Sequence, residues 1–174
     1  RQAQENIGIR PIADLNEPSP FSRAGPGVRG SIKPDFADIG GTLIYDGQAI
    51  ALRGGEARPE AGVVSLHYRP IDRLFATYSG TSYAAPLVAF KASQILARFP
   101  DASANLVRAL LASSALPPEE ALRRLEPLGG RAALDLCGHG LVDAERASFS
   151  DDARVILYAE DELEIDHFAV YQIP

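Results

Sequence analysis

Methionine and tryptophan are both absent from this 174-residue chain, and cysteine occurs once, as Cys137. A single cysteine excludes an internal disulfide, so the fold must rest on burial and hydrogen bonding rather than on cross-links. Set between Leu136 and Gly138, the lone thiol reads as a small packed side chain and leans toward a reducing compartment. No apolar run approaches the roughly 18–20 residues that a membrane-spanning helix needs, and no signal-peptide pattern opens the chain. No basic patch with interleaved aromatics is present, so nucleic-acid binding has no support. Histidine is scarce, limited to His67, His139 and His167. Without a methionine the chain cannot start at its own initiator. Together with the abrupt ends Arg1-Gln2-Ala3 and Ile173-Pro174, this gives the expectation of a portion cut from a longer polypeptide.

The chain is long enough for one domain with a real core. Its formal charge of −6 is unevenly spread, with acids densest at Glu160, Asp161, Glu162, Glu164 and Asp166. Hard cations such as calcium take carboxylate oxygens, but a solvated turn between two strands accounts for the run more simply. The most informative stretch is Gly80-Thr81-Ser82-Tyr83-Ala84-Ala85-Pro86. It places a hydroxyl between a glycine and small residues, directly ahead of an apolar helical pattern. At a helix N-terminus, unpaired N–H groups and the positive end of the macrodipole favour developing negative charge. Acyl transfer needs that arrangement, an exposed nucleophile with an N–H beside the forming oxyanion. The plainer alternative is that Ser82 caps the helix, since serine is favoured there anyway.

The heptapeptide resembles the nucleophile motif of the subtilisin-like serine proteases (subtilases), and two flanking passages match in order. Upstream, Ser19-Pro20-Phe21-Ser22-Arg23-Ala24-Gly25-Pro26 and then Ile32-Lys33-Pro34-Asp35 are similar to a conserved-looking family passage; downstream, Gly138-His139-Gly140-Leu141-Val142-Asp143-Ala144 is similar to the closing segment. The matches cover roughly residues 18–148 and resemble in particular a bacterial branch, which directs the localisation toward the bacterial cytoplasm. The resemblance implies peptide-bond hydrolysis with Ser82 as nucleophile, its own backbone N–H donating to the oxyanion, and Gly80, Thr81 and Pro86 shaping the turn. It implies no cofactor and a polypeptide substrate, with structural calcium as the one metal to consider.

The same resemblance implies a triad in the order Asp, His, Ser, and only the serine's motif is present. No Asp-Thr-Gly, Asp-Ser-Gly or His-Gly-Thr occurs, and Asn6, Asn16 and Asn105 lack the Gly-Asn context of an oxyanion-hole asparagine. His139 follows the serine in the closing segment, while His67 and His167 lie in strand patterns, so none is read as the base. Residues 1–150 are therefore expected to be the C-terminal half of a subtilase-like catalytic domain, and 151–174 the start of a β-rich extension. The fold implied is α/β, part of a three-layer sandwich with a mostly parallel sheet. Its partners would be the remainder of the same chain or, through an unpaired edge, a second copy. A non-catalytic, peptide-binding relative is the alternative, and an unrelated module in which Ser82 merely caps a helix is a more distant one.

Along the chain, Ile7–Ile12, Thr42–Tyr45 and Val63–Tyr68 read as strands, and Phe75–Ser79 leads into the serine turn. From Ser82 to about Phe99, Ala84, Val88, Ala92, Ile95, Leu96 and Phe99 recur at helical spacing, with Ala85, Leu87 and Phe90 widening the face enough to predict central burial. Pro86 is assigned to the first turn, where it is tolerated, and Lys91 breaks the apolar pattern. Asp101 or Ser103 caps a following helix with Leu106, Val107, Leu110 and Leu111 as its stripe. Pro117-Pro118-Glu119-Glu120 starts a short helix to about Leu125, and Val142–Ser148 a last one. Gly129-Gly130 and Cys137–Gly140 read as turns. Val155–Tyr158 and Phe168–Ile173 predict a C-terminal hairpin around the acidic run.

Overall fold

Strand-forming segments precede all of the α-helices, and the two kinds of element build separate layers of packing. A computed structural model describes residues 8–172. Strands β1 (Ile9–Pro11), β2 (Ile44–Asp46) and β3 (Ala51–Arg53) form one sheet in that order, all antiparallel, with Ile9 opposite Asp46 and Ile44 opposite Arg53. Ile9 and Ile44 point to one face and bury against Ala61. Strands β4 (Val63–Leu66) and β5 (Phe75–Tyr78) form a second antiparallel pair, with Val63 opposite Tyr78.

Helix α1 (Thr81–Arg98) follows β5 almost at once. Helix α2 (Ala104–Ser114) is started by Ser103, whose hydroxyl accepts from the Leu106 N–H at 3.2 Å. This satisfies one of the unpaired donors of the first turn, and of the two expected caps Ser103 takes the role. The stripe Leu106, Val107, Leu110 and Leu111 is buried, packing with Ile95 of α1, Val142 and Ala147 into the main core. Ile95 is completely covered, so truncating it to alanine would cost about 2–5 kcal/mol. Helix α3 (Glu119–Leu125) carries Glu119 and Glu120 in its first turn and Arg123 and Arg124 in its last, matching the macrodipole at both ends. Helix α4 (Ala132–Cys137) buries Cys137 against Ala121 and Leu125 of α3. Helix α5 (Ala144–Ser148) is capped by Asp143, whose carboxylate accepts from the Arg146 N–H at 3.0 Å.

Several expectations need correction. The chain is mixed α and β, but the described strands are antiparallel rather than mostly parallel; the parallel pairing present is the isolated bridge between Ala37 and Leu141. The C-terminal hairpin does not form among the described residues. Instead an isolated bridge joins Asp151 and Arg154, Ile156 packs on the main core, and Tyr158 sets its edge on Phe99 with centroids 5.2 Å apart. Glu160 then accepts from the backbone N–H of Ser103 at 3.2 Å and from its hydroxyl. One carboxylate of the acidic run thus serves the start of α2 rather than a turn between strands. The central burial expected of α1 is also absent: of its residues only Ile95 is buried, while Phe90 is 61% exposed. Among the described residues nothing covers Phe90. Ile7 and Ile173, each at an end of an expected strand, lie outside the described residues.

Candidate functional site

The serine turn is built where β5 ends and α1 begins. Ser79 anchors its near side, its hydroxyl accepting from the Gly55 N–H at 2.9 Å and donating to the Ala61 carbonyl at 3.0 Å. Thr77 adds a bond from its hydroxyl to the Gly55 carbonyl at 2.7 Å. Gly80 is the N-cap; its N–H donates to the Gly40 carbonyl at 2.8 Å, and its own carbonyl accepts from the Tyr83 N–H at 3.1 Å. A Cβ on Gly40 would stand 2.8 Å from the Gly80 carbonyl oxygen. Only glycine lets the segment around residue 40 lie this close to the serine turn. On the other side Tyr83 stacks on Tyr78, with ring centroids 5.2 Å apart and planes within 2°.

Ser82 therefore falls on the second helical position, exposed. Among the described residues its hydroxyl has no hydrogen-bond partner, and its backbone N–H, one of the first-turn donors, has no acceptor. The cap reading of Ser82 is overturned, because Gly80 holds that position and no side chain caps α1. Pro86 also needs correcting: it lies inside the helix, past the first turn. Lacking an N–H, it leaves the Ser82 carbonyl without the donor four residues on. What remains is an exposed hydroxyl beside an unfilled N–H at a positive helix end, a pairing suited to attack on a carbonyl and to holding the resulting oxyanion.

Among the described residues no general base joins it. The Nδ1 of His67 lies 3.0 Å from the Arg69 carbonyl oxygen and its ring packs on Tyr68; the Nδ1 of His167 lies 3.2 Å from the Ile165 carbonyl oxygen. The backbone of His139 donates to the Asp35 carbonyl at 2.9 Å, and its ring lies 5.8 Å from that of Phe36. None of the three is hydrogen-bonded to Ser82. The Lys33–Asp35 passage is structural, its two side chains forming an ion pair with each other while the Asp35 backbone holds His139.

An open cleft of about 720 Å³ adjoins the turn, bordered by Thr81 and Ala84 of α1, the loop around Asn16 and the Asp38–Thr42 segment, with Cys137 also in its lining. Ser82 itself is not part of the lining. Burial pushes the Cys137 thiol up from its ordinary value, so it sits there as a neutral, inert side chain. Among the described residues no group of His, Cys, Asp or Glu is arranged to hold a metal ion, and no helix is long and apolar enough to cross a membrane.

One pair near the turn was not legible in the sequence. The Nζ of Lys91 lies 2.6 Å from Oδ2 of Asp38, whose side chain is only 4% exposed. The other oxygen, Oδ1, accepts from the Ile39 N–H at 2.8 Å. A lysine interrupting an apolar helical face was the available signal, but the partner is 53 residues away.

The sequence model of the subtilase family matches residues 2–140. The chain belongs to that family, and the matched region is a subtilisin-like serine protease region. It is also 62% identical over 169 residues to a protein described as uncharacterized protein y4bN of Sinorhizobium fredii (strain NBRC 101917 / NGR234). That alignment takes in 97% of this chain but only 39% of the relative's length. No solved structure matches.

Proposed function

We propose that this chain is the nucleophile-bearing part of a serine endopeptidase that hydrolyses polypeptides through an acyl-enzyme on Ser82. Ser82 Oγ attacks the scissile carbonyl, and the Ser82 backbone N–H donates to the oxygen as it becomes negative. A histidine elsewhere in the full-length polypeptide takes the hydroxyl proton and returns it to the leaving amine, oriented by an aspartate. Residues 1–150 supply the C-terminal half of the catalytic domain, and 151–174 begin an extension. In this reading a parallel sheet and three-layer sandwich are completed by the rest of the polypeptide, for which the exposed side of α1 is the natural seat. The observation that carries the reading is the exposed Ser82 hydroxyl, without a partner among the described residues, beside its own N–H at the start of an 18-residue helix.

The test is hydrolysis of an unfolded protein substrate by the full-length protein and by its Ser82→Ala variant. Cleavage by the wild type that disappears in the variant is the expected result. Equal cleavage by both contradicts the assignment. A second reading, a peptide-binding relative that does not cut, predicts substrate retention without cleavage in wild type and variant alike.

A further inference from the structure

Helix α1 carries the nucleophile at its first turn, and its first half packs only partly against the described residues. Among Thr81–Lys91 no residue is buried; Ala85, Pro86, Ala89 and Phe90 are exposed, and the buried Ile95 comes only later. Polar links supplement the Tyr83–Tyr78 stack and the partial packing of Val88 on the main core, and they converge on one segment. At one end the Gly80 N–H donates to the Gly40 carbonyl at 2.8 Å. At the other, Lys91 reaches Asp38 of the same segment at 2.6 Å. Lys91 stands about 13 Å further along the helix axis than Ser82, at 1.5 Å rise per residue. A helix tied to one segment at two such separated points can neither slide along it nor turn about its own axis without breaking a tie. The second tie is the costlier to break, because separating the pair leaves a carboxylate that is 4% exposed without its cation.

We propose that Lys91 and Asp38 are positioning residues for the reaction at Ser82: they hold α1 in register with the 38–41 segment, so that the hydroxyl and N–H of Ser82 keep a fixed aim. This rests on Ser82 being the nucleophile, but its structural half is measurable without any turnover. The pair touches no reacting atom; it acts through Gly40 and Gly80. The backbone of Gly40 is the intermediary, since it lies two residues from Asp38 and bonds the N-cap of α1 directly.

The experiment is peptide-level hydrogen exchange together with steady-state kinetics on the full-length protein carrying Lys91→Met, Asp38→Asn or Lys91→Arg. In Lys91→Met and Asp38→Asn, exchange over residues 78–85 should rise about tenfold while α2 keeps its protection. Both variants should lose about tenfold in kcat with KM unchanged, as misaimed catalytic groups do. Lys91→Arg, which keeps the charge, should restore both readouts. The double variant Asp38→Leu/Lys91→Met leaves no unpaired buried charge, so it guards against simple misfolding; it should stay folded and still show the loosened 78–85 segment. Unchanged exchange at 78–85, or an equal rise across α2, overturns the proposal. So does a Lys91→Arg variant as impaired as Lys91→Met. A wild type without turnover would sink the reading of Ser82 while the exchange data still decide whether the pair fixes the turn.

Discussion

At the residue scale, Asp46 shows how a single side chain closes a local structure. Its Oδ1 accepts from the N–H groups of Gln48 and Ala49 at 3.1 and 3.2 Å, forming the turn that leaves β2, while Arg58 donates to its Oδ2 at 2.6 Å. The Arg58 guanidinium first, and the Ala49 N–H after it, hold the carboxyl below the usual carboxylate range. A depressed folded-state pKa contributes stability that is present above the ordinary carboxylate value of about 4 and is lost as pH falls through the depressed value. Asp46→Asn in the full-length protein should therefore lower the denaturation midpoint at neutral pH, and the gap from wild type should close in acid. A gap that stays constant with pH would contradict the assignment. At this scale Ser82 was legible because seven consecutive residues carried it. Its freedom from capping was not, because whether Gly80 or a hydroxyl takes the N-cap depends on the backbone path out of β5.

At the scale of elements, the long helices and the short helices α3 and α5 were legible, while α4 and β3 were not. α1 begins and ends within a residue of where helical spacing places it, and α2 starts directly after its expected cap Ser103. α4 escaped because its six residues, set between two glycine-bearing turns, are too few to show helical spacing. β3 escaped because three residues carry no measurable alternation, and its strand character comes from pairing with β2. The expected C-terminal strands failed for the converse reason: alternation alone does not make a strand when no partner supplies the ladder. The start of α2 offers a direct test, since Ser103 both caps the helix and receives Glu160. Ser103→Ala should cost about 1 kcal/mol of unfolding free energy, read as a lower denaturant midpoint at unchanged slope. Removing Glu160 alone, as Glu160→Gln, should cost less, because the hydroxyl still caps Leu106. Equal losses in the two variants would show that the strap, rather than the cap, stabilises α2.

At the scale of the whole molecule, exposure is the governing fact. Phe90, Leu96, Val64, Leu66 and Phe75 all lie open, with Leu66 67% exposed, and among the described residues no further strand pairs with the outer edges of either sheet. Apolar surface of that kind marks an interaction face or an aggregation hazard. The family was legible from three motifs in order, whereas the parallel sheet was inferred from the resemblance alone; the strands described here pair antiparallel. The isolated 174-residue chain should self-associate as its concentration rises, measured by light scattering, and should show no peptidase activity, having no histidine bonded to Ser82. A strictly monomeric chain at high concentration would contradict the first expectation, and turnover abolished by Ser82→Ala in the isolated chain the second.

The most direct test of the central claim is covalent labelling of the full-length protein with a fluorophosphonate, with the modified residue located by peptide mapping. An activated nucleophile predicts a single phosphonylated site at Ser82, absent from Ser82→Ala. A folded full-length protein that takes no label, or takes it elsewhere, would contradict the assignment of Ser82 as the catalytic nucleophile.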